Sequence, residues 1–250
     1  MPNFSLSMLM PKWLAIIFTL SLSMSCTDKY ESAAQYATQS ESLFASGNLV
    51  EARLNIQKAI AQRDDVAAFY ILLGRIEVQA EQPVRAFNAY SMALDLEADN
   101  LEVLQNIADI GLQTGRVQEA EEAASRILLL APASNGAMLV KGFIAIDEGR
   151  FDDAQKAVDD IMAINPSDEG GVILGARIDA LQGRTEAALA KIDNSIATIG
   201  QTNALNVTRL EILRVLGNPK GMASIFPAIL KTMNDDADFR LDYKIGRAHV

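Results

Sequence analysis

The sequence predicts an all-α protein built as an α-solenoid of about six tandem helix-turn-helix hairpins, and composition, recurrence and apolar spacing predict it together. Half of the 250 residues are hydrophobic while only 6% are aromatic, a balance of small and unbranched apolar side chains suited to close helix packing. Ala52, Ala86, Ala120, Ala154 and Ala188 recur every 34 residues without an insertion. Gly47, Gly115, Gly149, Gly183 and Gly217 keep the same period, with Glu81 in the missing rung. Small residues at Ser40, Gly74, Ala108, Gly142 and Ala176 form a third ladder, and aliphatics at Ile60, Leu94, Leu128, Met162, Ile196 and Leu230 a fourth. A fixed period of this length marks a stack of repeated supersecondary units. Apolar residues three and four apart flank each ladder glycine, which is helical spacing.

The amino-terminal segment reads as an export address. Lys12 precedes the apolar run Trp13 to Leu22, and the small residues Ser23 and Ser25 flank Met24 just before Cys26. This is the order of a signal peptide over residues 1–25, and the run is about half the roughly 20 residues that a membrane-spanning helix needs. Leu22 to Cys26 resembles the lipobox of bacterial lipoproteins, with the leucine one position early. The resemblance implies lipidation at Cys26, followed by a short linker over 26–32. Thr27, which replaces the retention aspartate of many such proteins, implies an outer-membrane anchor facing the periplasm. Cleavage without lipidation gives a soluble periplasmic protein instead. Cys26 is the single cysteine, so an internal disulfide framework is excluded.

Six units follow, at 33–66, 67–100, 101–134, 135–168, 169–202 and 203–236. In each, the stretch before the ladder glycine reads as a first helix, as in Tyr70 to Ala80 or Met138 to Glu148. The glycine supplies the backbone geometry that ends it. A second amphipathic helix follows, as in Val117 to Leu130 or Phe151 to Ile164, and Pro132 and Pro166 stop it. The small residue midway along the first helix is expected to meet the ladder alanine of the second, so that the two helices approach closely. The sixth unit departs most, with Met222 for the ladder alanine and Pro219 early in its second helix. Residues 237–250 read as the start of a further helix and a tail. The last six, Ile245 to Val250, are what a common short-read sequencing adapter encodes, and 245–250 is read as non-native.

The units resemble the tetratricopeptide repeat, whose signature is an aromatic, a Leu-Gly pair, a turn glycine, an alanine, an aromatic, a second alanine and a proline. The second unit carries Tyr70, Leu73, Gly74, Ala86, Tyr90 and Ala93; the fourth carries Gly142, Gly149, Phe151, Ala154 and Pro166. The resemblance covers Ala33 to Asp236. It implies a right-handed α-solenoid with a concave surface lined by first helices, whose fifth and ninth positions face a groove. The partner-binding residues it implies here are Ile71, Arg75, Asp109, Leu139, Phe143, Ile173 and Arg177, continued by Leu72, Val140 and Leu174 as an apolar stripe. Packing of several of these between neighbouring hairpins is the structural alternative. The fifth positions hold neither lysine nor asparagine, which disfavours the family's clamp for a terminal carboxylate.

Charge and chemistry narrow the function. The formal charge is −10, and Lys12 is the one charged side chain before Cys26, so the remainder carries −11. Phosphate backbones repel such a surface, and no nucleic-acid partner is expected. The single histidine, His249, lies in the suspect tail; zinc sites and histidine-based catalytic groupings are excluded from the repeats. The pairs Asp152 with Asp153 and Asp159 with Asp160 read as solvated helix surface. The sequence thus predicts no enzyme, no cofactor, no metal and no small-molecule substrate. It predicts an interaction scaffold of the bacterial envelope that binds a peptide or amphipathic helix of another envelope protein and is held to the membrane by lipid. The alternatives are the targeting arm of a longer enzyme and a soluble periplasmic chaperone.

Overall fold

A computed structural model of the chain describes residues 30–235. Twelve consecutive α-helices, and no strand, occur among the described residues. They form two compact units, divided between Ala98 and Asp99.

The first unit holds α1 (residues 30–45), α2 (Leu49–Gln62), α3 (Ala67–Gln79) and α4 (Pro83–Leu96). Helix α1 is already formed at residue 30, the first described residue, inside the stretch read as a linker. Ala52, Ile56, Ala59, Leu72 and Ile76 are buried together, with Phe69 and Leu73 packed against them. Ser40 meets the ladder alanine as expected, its hydroxyl donating to the Ala52 carbonyl at 2.8 Å. At Gly74 the expectation fails: a methyl built there would lie 2.6 Å from the ring of Tyr90, not against Ala86. The buried Tyr90 ring occupies the room the glycine leaves, so the close approach serves an aromatic one turn along α4.

The second unit holds α5 (Leu101–Thr114), α6 (Val117–Leu130), α7 (Asn135–Asp147), α8 (Phe151–Ile164), α9 (Glu169–Leu181), α10 (Thr185–Ile199), α11 (Asn203–Val215) and α12 (Pro219–Asp235). Successive helices pack as hairpins, and each hairpin stacks on the next chiefly through its second helix against the first helix of the next, with a smaller contact between the two first helices. Here the closest approach within a hairpin is Gly111 against Ala120, where an added methyl would sit 2.9 Å from the alanine Cβ. Gly142 instead faces Leu174 of the following hairpin. Pro219 occupies the first turn of α12, where its missing N–H has no intrahelical partner to lose. No helix among the described residues is long and apolar enough to cross a membrane. The signal segment, Cys26 and the tail beyond Asp235 lie outside the described residues.

The glycine ladder is a ladder of turns. Gly47, Gly115, Gly149, Gly183 and Gly217 all have φ between 62° and 78°, and Glu81 takes the same left-handed conformation at 54°. The residue after each closes the turn by donating to a carbonyl five residues back. Asn48 donates to Leu43, Gln82 to Glu77, Arg116 to Gly111, Arg150 to Ala145, Arg184 to Asp179 and Asn218 to Leu213, at 2.7–3.0 Å. This is the Schellman arrangement, and it satisfies carbonyls that the helix end would leave bare.

Candidate partner-binding face

A shift of 34 residues carries a side chain to the same place on the next first helix, so the ninth positions of the hairpins form a row. In the second unit that row is Asp109, Phe143, Arg177 and Glu211. The Arg177 guanidinium lies over the Phe143 ring at 5.4 Å from its centroid, and its Nη2 is 3.4 Å from Glu211 Oε2. Its Nε is buried with no acceptor. Aromatic face and carboxylate together hold the guanidinium, with its side chain about one third exposed. All three side chains keep contact with solvent along one line.

The fifth positions form a parallel row. The Gln105 amide donates to Asp109 at 3.0 Å and rests on Gly136 of the next hairpin, while the tip of Leu139 rests on Gly170. Asp109 is exposed at the residue level, yet the protein around its carboxyl pushes its pKa up, and the Gln105 hydrogen bond pulls partly back. Leu139 and Phe143 are half-buried, their inner edges against the cluster of Ala145, Ala154, Val158, Leu174 and Ile178.

Not every residue read as groove lining reaches the surface. Ile173 is 8% exposed and belongs to the core with Ala188, Ile192, Leu205 and Ile212, between two hairpins. Leu72, Val140 and Leu174 are likewise buried. Each follows a fifth-position residue or replaces it where the helix turns toward its neighbour, so the spacing alone does not separate lining from packing. In the first unit, Ile71 is half-buried and Arg75 exposed, one turn apart on α3. The arginines expected to frame one groove, Arg75 and Arg177, lie in different compact units.

Sequence reasoning missed two sets of residues. Asn100, Ser134, Asp168 and Thr202, again 34 apart, cap α5, α7, α9 and α11. Their side chains accept from the backbone N–H three residues on, at 2.9–3.4 Å. The cap at Ser134 accounts for α7 starting three residues earlier than expected, whereas α3 starts equally early from Val66 without a side-chain cap; the ladder of Asn, Ser, Asp and Thr was the available signal. The second set is two buried acids at the eleventh position. Glu77 is held by Arg53, whose Nε and Nη2 donate at 2.5 and 2.9 Å. Asp179 meets Arg184 and Lys191, at 2.5 and 2.6 Å. Burial pushes the Asp179 carboxyl up, but the two cations more than offset it and leave it below the usual carboxylate range. Among the described residues, no three His, Cys, Asp or Glu gather where they could hold a metal.

Known structures settle the fold. A tetratricopeptide repeat protein from Parabacteroides merdae superposes with a TM-score of 0.69 at 18% identity, covering 88% of each chain. The chain has the tetratricopeptide-repeat fold. PilW, a widely conserved type IV pilus biogenesis factor, matches the repeats with a TM-score of 0.62 at 15% identity, over 84% of this chain and 98% of its own. YrrB, a tetratricopeptide protein with an unusual peptide-binding site, gives 0.61 at 18% identity, over 73% and 94%. In sequence, cellulose synthase operon protein C of Xanthomonas axonopodis pv. citri (strain 306) is 32% identical over 102 residues, 41% of this chain. The chain spans only 7% of that relative's length. No family profile matches the chain.

Proposed function

We propose that this tetratricopeptide-repeat chain is a non-catalytic scaffold that binds a peptide or helix of a partner protein on the first-helix face of its second unit. The observation that carries the reading is the ninth-position row: an aromatic ring, a cation and an acid, held to one another in register and open to solvent on one line. Leu139 and Phe143 offer apolar surface for a partner side chain, while Arg177 and Asp109 flank it with opposite charges. In the first unit Ile71 and Arg75 are proposed to offer a similar pair. The similar structures, a type IV pilus biogenesis factor and a repeat protein with an unusual peptide-binding site, support partners of this class.

The address is the bacterial envelope: export by residues 1–25, lipidation at Cys26, and an outer-membrane position facing the periplasm, with a soluble periplasmic form if the cysteine stays unmodified. Incorporation of acyl label at Cys26, abolished in Cys26→Ser, supports the anchor; no label contradicts it. The binding face is tested by placing a photo-crosslinking phenylalanine analogue at position 143, and at the exposed Lys156 as a control, in cells. A discrete adduct from 143 that the Arg177→Glu variant loses supports the face. Equal adducts from both positions contradict it.

A second reading has one observation in its favour. The sequence relative is a far longer protein, of which this chain matches a small part, so the repeats would serve as the targeting arm of a longer enzyme. Reading the gene past the codon for Lys244 separates the two: further repeats and a polar cap fit the scaffold, and a new segment rich in clustered His, Cys or Asp fits the arm.

A further inference from the structure

The charges on the first-helix face of the second unit are unevenly satisfied. Helices α5, α7, α9 and α11 neighbour one another in that order, and their ninth positions read acid, aromatic, cation, acid: Asp109, Phe143, Arg177 and Glu211. One half of the row is complete. The Arg177 guanidinium lies over the Phe143 ring, 5.4 Å from its centroid, with Glu211 3.4 Å away. Its charge is therefore already engaged by an aromatic face and a carboxylate of this chain. The α5 side of Phe143 has the acid without the cation. Asp109 accepts one hydrogen bond, from the Gln105 amide at 3.0 Å, and forms no ion pair among the described residues.

Two acids on this side stand where the fold gains nothing from them. The protein around the Asp109 carboxyl pushes its pKa up even though the residue is exposed, and the Gln105 hydrogen bond only partly offsets this. A carboxylate with protein around it, water above it and no counter-charge beside it is favourably placed for a cation that comes from outside. Asp147 is the second acid. It lies one turn beyond Phe143 at the end of α7, exposed, and its side chain makes no hydrogen bond or ion pair among the described residues. A carboxylate there meets the negative end of the helix dipole. Residues that break a local rule with no structural return are expected at functional positions. The apolar part of the same surface is Phe143 itself, with Leu139 one turn before it, both half-buried.

We propose that the partner face takes a polypeptide segment carrying a lysine or arginine beside an apolar residue, the cation docking on Asp109 and Asp147 and the apolar parts on Phe143 and Leu139. The incoming cation repeats from outside what Arg177 does from within, a positive charge held between this ring and a carboxylate. Its long aliphatic stem covers apolar surface while its head stays on the acids. The net negative charge of the chain attracts a basic segment and repels an acidic one. This inference rests on the reading of the first-helix face as a partner site and names the chemistry that the site accepts.

Random peptides displayed on phage and selected on the purified protein test it. Selected peptides are expected to be rich in lysine or arginine next to an aliphatic or aromatic residue. A selected peptide with a single lysine is then measured by fluorescence anisotropy. Asp109→Asn and Asp147→Asn are each expected to weaken it about two- to fivefold, the range of an exposed ion pair, and Asp109→Lys to weaken it further. Norleucine in place of the peptide's lysine is expected to weaken binding to the parent and to cost nothing more in the variant that carries both Asp→Asn changes. Asp159→Asn, at an exposed acid on α8, is the control for general attraction to an acidic surface and is expected to change nothing. An equal loss in that control overturns the inference and leaves the partner face standing. So do selected peptides with no basic preference that photo-crosslink from position 143. If no peptide is selected, or none crosslinks from position 143, both readings fall.

Discussion

The second and fifth hairpins share one backbone plan and fill it in opposite ways. Each has a left-handed turn, a ladder alanine with no exposed surface and a buried acid at the eleventh position. In the second, Tyr90 packs into the room left by Gly74, and the acid, Glu77, is tied to Arg53 on the preceding hairpin. In the fifth, Gly175 and Ser195 leave a cavity, and the acid, Asp179, is tied to Arg184 and Lys191 of its own hairpin. The difference teaches that the 34-residue register fixes where helices begin, turn and cross, whereas a few positions decide whether a hairpin is filled and to what it is bound.

The largest effect expected from breaking this contrast is at the acids. Arg53→Ala leaves Glu77 buried beside an empty space and is expected to cost about 3 kcal/mol, because an unpaired buried charge is far worse than a lost pair. Replacing both residues, as Arg53→Met with Glu77→Leu, is expected to recover most of that loss. Urea unfolding of the two variants checks the difference. Arg184→Ala is expected to cost less, since Lys191 still faces Asp179.

Next come the turns. Glu81 bears the cost of a left-handed backbone that glycine carries freely at the equivalent positions. Glu81→Gly is expected to stabilise by about 0.5–1 kcal/mol and Gly115→Ala to destabilise by about 1 kcal/mol, read as opposite shifts of the denaturation midpoint. Equal signs would mean that the turns are not equivalent.

The smallest effect is in pH dependence. Asp179 has a lowered pKa, so its contribution to stability is fully present above the unfolded carboxylate value of 3.8 and is lost as pH falls through the lower folded value. Asp109 has a raised pKa, so its ionised form opposes folding, and stability gains as pH falls through that value. Asp179→Asn is expected to flatten the acid limb of stability against pH, and Asp109→Asn to steepen it slightly. Thermal melts between pH 3 and pH 6 read both.

The plan was legible in the sequence because repetition reports backbone directly. The glycine ladder marked the turn inside each hairpin, and the missing rung at Glu81 proved to keep the same left-handed backbone; the proline positions matched the ends of α6 and α8. The fill was less legible. Ile173 and Leu139 have similar chemistry and hold the same fifth position in successive hairpins, yet one is core and the other half-buried, a difference set by the neighbours each meets. The Phe143 to Glu211 row was visible only as separate ninth-position residues; its pairing needed three stacked helices. The cavity was hidden for the same reason, since neither Gly175 nor Ser195 is unusual in a helix until its neighbours are placed around it.

One substitution made twice tests the contrast most directly. Gly74→Ala pushes a methyl into the Tyr90 ring, which has no room to move, and is expected to destabilise by about 1–3 kcal/mol. Gly175→Ala places the same methyl in ordinary van der Waals contact with Val158 and Lys191, within a helix, and is expected to stabilise by about 0.5–1 kcal/mol. Urea denaturation of both variants beside the parent is predicted to move the midpoints in opposite directions; a shift of the same sign in both would contradict the claim that the two hairpins are filled differently on one plan.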